Sequence, residues 1–168
     1  MAKDNNRFPG KNRLDLDVRH YSFCVYDYFD FYRKNGWKPL FNGHYYPAMV
    51  ASCCDDRGMM TRRGFAHKST AAEYRLTGMI NEMESDFNNG QPITEWNSFR
   101  NKRTPAGYPL GQCAEQHAAN ELIFCEIWDN RINRMLNMKK EIYFSIAVRP
   151  STGEVFDYCC NCKRLFDL

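Results

Sequence analysis

Apolar residues recur at helical spacing through 15–33, where Leu16, Val18, Tyr21, Phe23, Cys24, Tyr26, Phe29 and Phe31 fall. That spacing predicts a helix with Asp15 as its cap and Asn35-Gly36 as its stop signal. After a Trp37-Lys38-Pro39 loop, the apolar positions of 44–54 suit a strand. Asp55-Asp56-Arg57-Gly58 reads as a turn, and 59–67 as the return strand of a hairpin. A helix over 70–87 follows, capped by Ser69 or Thr70, with Ala72, Tyr74, Leu76, Met79, Ile80 and Met83 inward. Asn88-Asn89-Gly90-Gln91-Pro92 ends it.

Residues 88–111 carry Pro92, Pro105, Gly107, Pro109 and Gly111 and read as a long loop, a length at which loops are often functional. From 113 to 138 apolar residues occupy more than one helical face, which predicts a buried central helix. The β-prone run 142–148 suits an interior strand. A Pro150-Ser151-Thr152-Gly153 turn, a short extended piece over 154–158 and a terminal helix at the last cysteines complete the chain. This order predicts a mixed α/β domain with one sheet flanked by helices. Residues 1–13, polar and basic, read as a flexible arm ahead of a single domain over 14–168.

Composition narrows the picture. A chain of 168 residues can bury a core without disulfides. Its formal charge of +3 permits contact with phosphates without requiring it. The N-terminus lacks the apolar stretch of a signal peptide, and no apolar run is long enough for a bilayer, so no membrane partner is expected. Eight cysteines are present: Cys24, Cys53, Cys54, Cys113, Cys125, Cys159, Cys160 and Cys162. Two sequence-adjacent pairs and a chain too large for a disulfide scaffold point to a reducing, cytoplasmic setting with some cysteines holding metal.

The chemistry gathers in two segments, Gly111-Gln112-Cys113-Ala114-Glu115-Gln116-His117 and Tyr158-Cys159-Cys160-Asn161-Cys162-Lys163. Cys159 and Cys162 have the gap that lets two sulfurs reach one zinc ion from a single turn, and Cys113, at the start of another helix, can bring a third. Three protein ligands leave one position for water, as in a catalytic site. Glu115, on the first turn after Cys113, can reach that water without being a ligand and can carry its proton. Cys160 can replace Cys159 in this scheme. His117 can act as a fourth ligand, although a buried, hydrogen-bonded histidine is the commoner outcome. Cys53 and Cys54 read better as strand packing than as a second metal site.

Cys113-Ala114-Glu115 with the later Cys159-x-x-Cys162 resembles the signature of zinc nucleobase deaminases of the cytidine deaminase-like superfamily. Gly111 to Asn120, and Arg149-Pro150-Ser151-Thr152-Gly153 through Cys162, look more like bacterial toxin-type (YwqJ-like) deaminases, and the resemblance is carried mainly by the last third of the chain. It implies a three-layer α/β/α fold with one central mixed sheet, here lacking the last strands because the chain ends soon after Cys162. It implies zinc as cofactor and hydrolytic conversion of cytosine to uracil. It also implies contact of the substrate with the backbone at Ala114 and around Cys159. Tyr158 departs from the pattern, which has proline there.

A family-like fold would place Phe65 and His67 near the pocket. Arg57, Arg62, Arg63, His67 and Lys68 on or near the hairpin, and Arg100, Lys102 and Arg103 interleaved with Trp96, Phe99 and Tyr108 in the long loop, mix charge and aromatic rings as strand binding requires, and read equally well as a solvated basic surface with the aromatic rings packed inward. The expected substrate is therefore cytosine in nucleic acid, DNA before RNA. The toxin-type resemblance adds delivery to a target-cell cytoplasm and an immunity protein as partner. The rival readings are a deaminase of free nucleosides or nucleotides, and a non-catalytic zinc module that binds nucleic acid.

Overall fold

Helix α1, Lys11–Lys34, buries Leu14, Val18, Ser22, Val25 and Phe29, a stripe that repeats every three or four residues. The computed structural model to which it belongs describes residues 4–36, 47–57, 60–66, 76–92, 94, 109–128, 137 and 139–168, with backbone only at 77 and 124–128. The helix ends where expected. The Asn35 side chain and backbone both donate to Phe31 O, and Gly36 takes a positive φ of 75° while its N–H donates to Arg33 O.

The start differs. The helix begins at Lys11, and Asp15 accepts a hydrogen bond from the sheet rather than capping. From Asn5 on, the expected flexible arm is folded: Asn5–Arg7 forms a 3-10 turn capped by Asp4, and Asn5 is buried. The reason is polar rather than apolar. The Asn5 carboxamide accepts from Phe144 N–H (2.8 Å) and donates to Phe144 O (3.0 Å), standing in for a neighbouring strand.

Five strands form one sheet among the described residues. The central strand β1, Val50–Asp55, is buried at every position. It pairs with β2, Thr61–Phe65, in the predicted hairpin, Val50 opposite Phe65 and Cys54 opposite Thr61. Its other edge meets β3, Ile142–Phe144, and β4, Ala147–Val148, and β5, Val155–Phe156, continues beyond β4. Every pairing is antiparallel, so the described sheet is not the mixed one expected.

The run 142–148 is not one regular strand. Cys53 pairs with Phe144 but Val50 with Val148, which leaves one extra residue at Ser145-Ile146, a β-bulge. Its groups are satisfied by residues distant in the chain: Ser145 Oγ accepts from Ser52 N–H (2.9 Å), and Ile146 N–H donates to Asp15 (2.8 Å).

Strand parity separates two layers. Val50 and Phe65 pack with Val18, Val25, Phe29 and Val148 under α1. Cys53, Ile142 and Phe144 point the other way, into the larger core with residues of α2 (Thr77–Phe87), α3 (Ala114–Trp128) and α4 (Cys160–Phe166). The result is a helix–sheet–helix sandwich. Helix α3 is buried through Ala114, Ala118, Ala119, Leu122 and Ile123. It lies so close to β2 that a Cβ at Gly64 would sit 2.3 Å from Ala114 O and Ala118 N. The expected start of α2, and the stretch past 128 assigned to the central helix, lie outside the described residues. No described helix is long and apolar enough to cross a membrane.

Candidate metal centre

Two helix starts meet on the α3 side of the sheet. Gly111, with a φ of 82°, turns the chain into Cys113, immediately ahead of α3. Cys159 caps α4, its sulfur accepting from Cys162 N–H at 3.5 Å, and Cys162 lies in the first turn. The sulfurs of Cys113, Cys159 and Cys162 all fall within 4.8 Å of one another, Cys113 and Cys159 at 3.4 Å. A tetrahedral zinc ion with Zn–S bonds of about 2.3 Å needs sulfurs roughly 3.8 Å apart. The three thiols are free, Cys162 buried and the other two half-buried.

The electrostatics suit a cation. Hydrogen bonds from the Cys113 and Cys162 thiols and from backbone N–H groups draw Cys159 below the ordinary thiol range. That neighbour, together with burial, pushes Cys113 up. Burial, then the two adjacent thiols, pushes Cys162 up. Cys159 is thus held low and its two neighbours high, and a bound divalent ion would favour the thiolate at all three. The donor set fits zinc.

Glu115 is 5% exposed, and its Oε2 lies 3.6 Å from Cys162 Sγ. Burial first, then the charge at Cys159, raises its carboxyl to about 7. It lies outside the set of three close ligand atoms. So does His117, whose N–H donates to Cys113 O, and so does exposed Cys160. Among the described residues no fourth side chain joins the three sulfurs. Cys53 and Cys54, adjacent on β1, face opposite layers, and burial raises Cys54 to about 12.

The predicted substrate residues fare unevenly. Ala114 is buried with its carbonyl against β2. Phe65 packs under α1, on the face of the sheet away from the cysteines, because its parity on β2 matches Val50. It does not line the site. His67 and Tyr108 lie outside the described residues, as do Lys68 and 95–108. Arg57 pairs with buried Asp55 (2.8 Å) and Arg63 with Asp17 (2.6 Å), so two hairpin cations serve the fold.

Sequence reasoning passed over Gln116. It is fully buried, its Nε2 donates to Cys162 Sγ at 3.5 Å, and its Oε1 has no hydrogen-bond partner among the described residues. Its position three residues after Cys113 on one helix was the available signal. No protein-family model, curated protein or solved structure matches this chain.

Proposed function

We propose that this chain is a zinc-dependent hydrolytic deaminase that converts cytosine to uracil. Cys113, Cys159 and Cys162 would hold the ion, and Glu115 would carry protons. The observation that carries the reading is Glu115 itself, a buried carboxyl beside three clustered sulfurs yet outside the ligand set. A bound zinc ion supplies Lewis-acid polarisation of the attacking water.

Each residue then has a definite task. Glu115, titrating near neutrality, would take one proton from the attacking water and pass it to the ring nitrogen, then take the second from the hydroxyl so formed and pass it to the amine, which leaves as ammonia. Gln116 donates to the Cys162 sulfur and steadies its negative charge. The core around α3 and α4, with Leu110, Leu165 and Phe166 buried, keeps bulk water from the inner side of the site.

Cytosine in a polynucleotide is the first substrate, on the resemblance of the cysteine segments to toxin-type deaminases and on the basic and aromatic residues of 88–111. A free nucleoside or nucleotide is the second reading. It is favoured by the ion pairs that occupy Arg57 and Arg63 and withdraw them from phosphate contact. The closed structural zinc module is disfavoured because no fourth side chain joins the three sulfurs among the described residues.

The test is release of ammonia and appearance of uracil from cytidine, CMP, single-stranded and duplex oligonucleotides, with Glu115→Gln as control. Uracil in oligonucleotides, absent with the control, supports the first reading. Turnover of cytidine or CMP alone supports the second. No turnover of any substrate by zinc-loaded protein contradicts both.

A further inference from the structure

The tyrosine ahead of the last cysteine cluster is tied to the far N-terminus. Tyr158 Oη donates to Ser145 O (2.8 Å) and accepts from Asn5 Nδ2 (3.0 Å) and Lys11 Nζ (3.3 Å). Asn5 and Lys11 both also donate to Phe144 O (3.0 and 2.9 Å). Lys11 is held in turn by Asp15 at 3.1 Å, and Asp15 fills the bulge at Ile146. Residues far apart in the chain thus converge on one hydroxyl, and the next residue along the chain from it is Cys159.

We propose that the segment from Asn5 to Asp15 is a positioning strap for the metal centre: Asn5 and Lys11 fix Tyr158 on the β-bulge, and Tyr158 fixes Cys159 relative to Cys113. The physical need is clear. Cys113 is set by α3 packed on Gly64 of β2, whereas Cys159 follows the short edge strand β5 and leads into a helix of only seven residues. A ligand on so small an element needs an outside brace to hold a sulfur within a few tenths of an ångström. Tyr158, Asn5 and Lys11 supply none of the three clustered ligand atoms and would act through Cys159, so they are positioning residues. The proposal rests on the reading of the three cysteines as metal ligands.

Cobalt(II) titration of the full chain tests it, following the sulfur-to-cobalt charge-transfer band for affinity and the ligand-field bands for geometry. Asn5→Ala, Lys11→Met and Tyr158→Phe should each weaken cobalt binding by about tenfold and shift the ligand-field bands. Asp17→Asn, which loosens α1 from the sheet away from Tyr158, should do neither. Lys11→Met, which leaves the Tyr158 hydroxyl and its bond to Ser145 O in place, keeps the test decisive if Tyr158→Phe does not fold. Normal cobalt binding with unchanged bands in all three strap variants would overturn the strap alone. Equal weakening by Asp17→Asn would overturn it too, because general loosening then explains the loss. Absence of a charge-transfer band in the unmodified chain would instead overturn the metal reading beneath it.

Discussion

The two faces of the sheet are held in different ways. Under α1, half-buried carboxylates find partners within the fold: Asp17 accepts from Ser52 (2.8 Å) and from two nitrogens of Arg63, and Asp15 accepts from Ile146 N–H in the bulge. Under α3 and α4 the packing is apolar and close, with Gly64 against α3 and Phe144 tilted on Phe166 at 4.6 Å between ring centres. Buried Asp55 and Glu84 lie on this side as well, and the cysteine segments add Glu115, Gln116 and Asn161. Glu115 is buried against Cys162 Sγ, three sulfurs crowd within 4.8 Å, and Gln116 Oε1 has no partner among the described residues. Buried polar groups that the fold does not satisfy are where an added ion or ligand is to be sought.

The contrast breaks first at the cysteines. Cys162→Ser should strip metal from the purified chain almost completely, read as zinc per chain by elemental analysis, while Cys54→Ser should leave it unchanged. Glu115→Gln should keep the metal and lose about a thousandfold in turnover, because only the proton carrier is removed. Gly64→Ala probes the packing of the same face. The added methyl meets backbone rather than a movable side chain, so a loss of about 3 kcal/mol in denaturant unfolding is expected.

The α1 face should answer more mildly. Asp17→Asn should cost about 0.5 kcal/mol, because Arg63 is 43% exposed and solvent screens the pair. Its effect should also depend on pH. Burial raises the Asp17 carboxyl, but the hydrogen bonds from Arg63 and Ser52 and the Arg63 charge outweigh this and leave it lowered. A lowered folded value stabilises above the unfolded pKa of about 4. The difference between the parent and Asp17→Asn should therefore hold at pH 6 and fade as pH falls below about 4.

Much of this arrangement was readable in the residues, and the exceptions have physical causes. Helix α1 as an element, the hairpin and the start of α3 follow from periodicity and turn residues, which are local, but the inward face of α1 does not: Leu16, Phe23 and Phe31 are exposed, and Leu14, Ser22 and Val25 are buried beside Val18 and Phe29. The gap between Cys159 and Cys162 likewise puts both at one helix start, the cap and the first turn. Strand direction is not local: alternation in 142–148 is the same for parallel and antiparallel pairing, so the antiparallel sheet did not follow from it. The bulge at Ser145-Ile146 is set by Asp15, more than a hundred residues away in the chain. Asn5 looked like one more polar residue of an arm, since a carboxamide that replaces a strand leaves no periodic trace. Phe65 was expected near a pocket from the family-like fold alone, and the register that sets it opposite Val50 puts it under α1.

The central claim is an open three-sulfur metal site with Glu115 beside it. X-ray absorption at the zinc edge of the zinc-loaded chain tests this most directly. Three sulfur neighbours near 2.3 Å and one oxygen or nitrogen near 2.0 Å are expected. Four sulfurs, or a shell without sulfur, would contradict it.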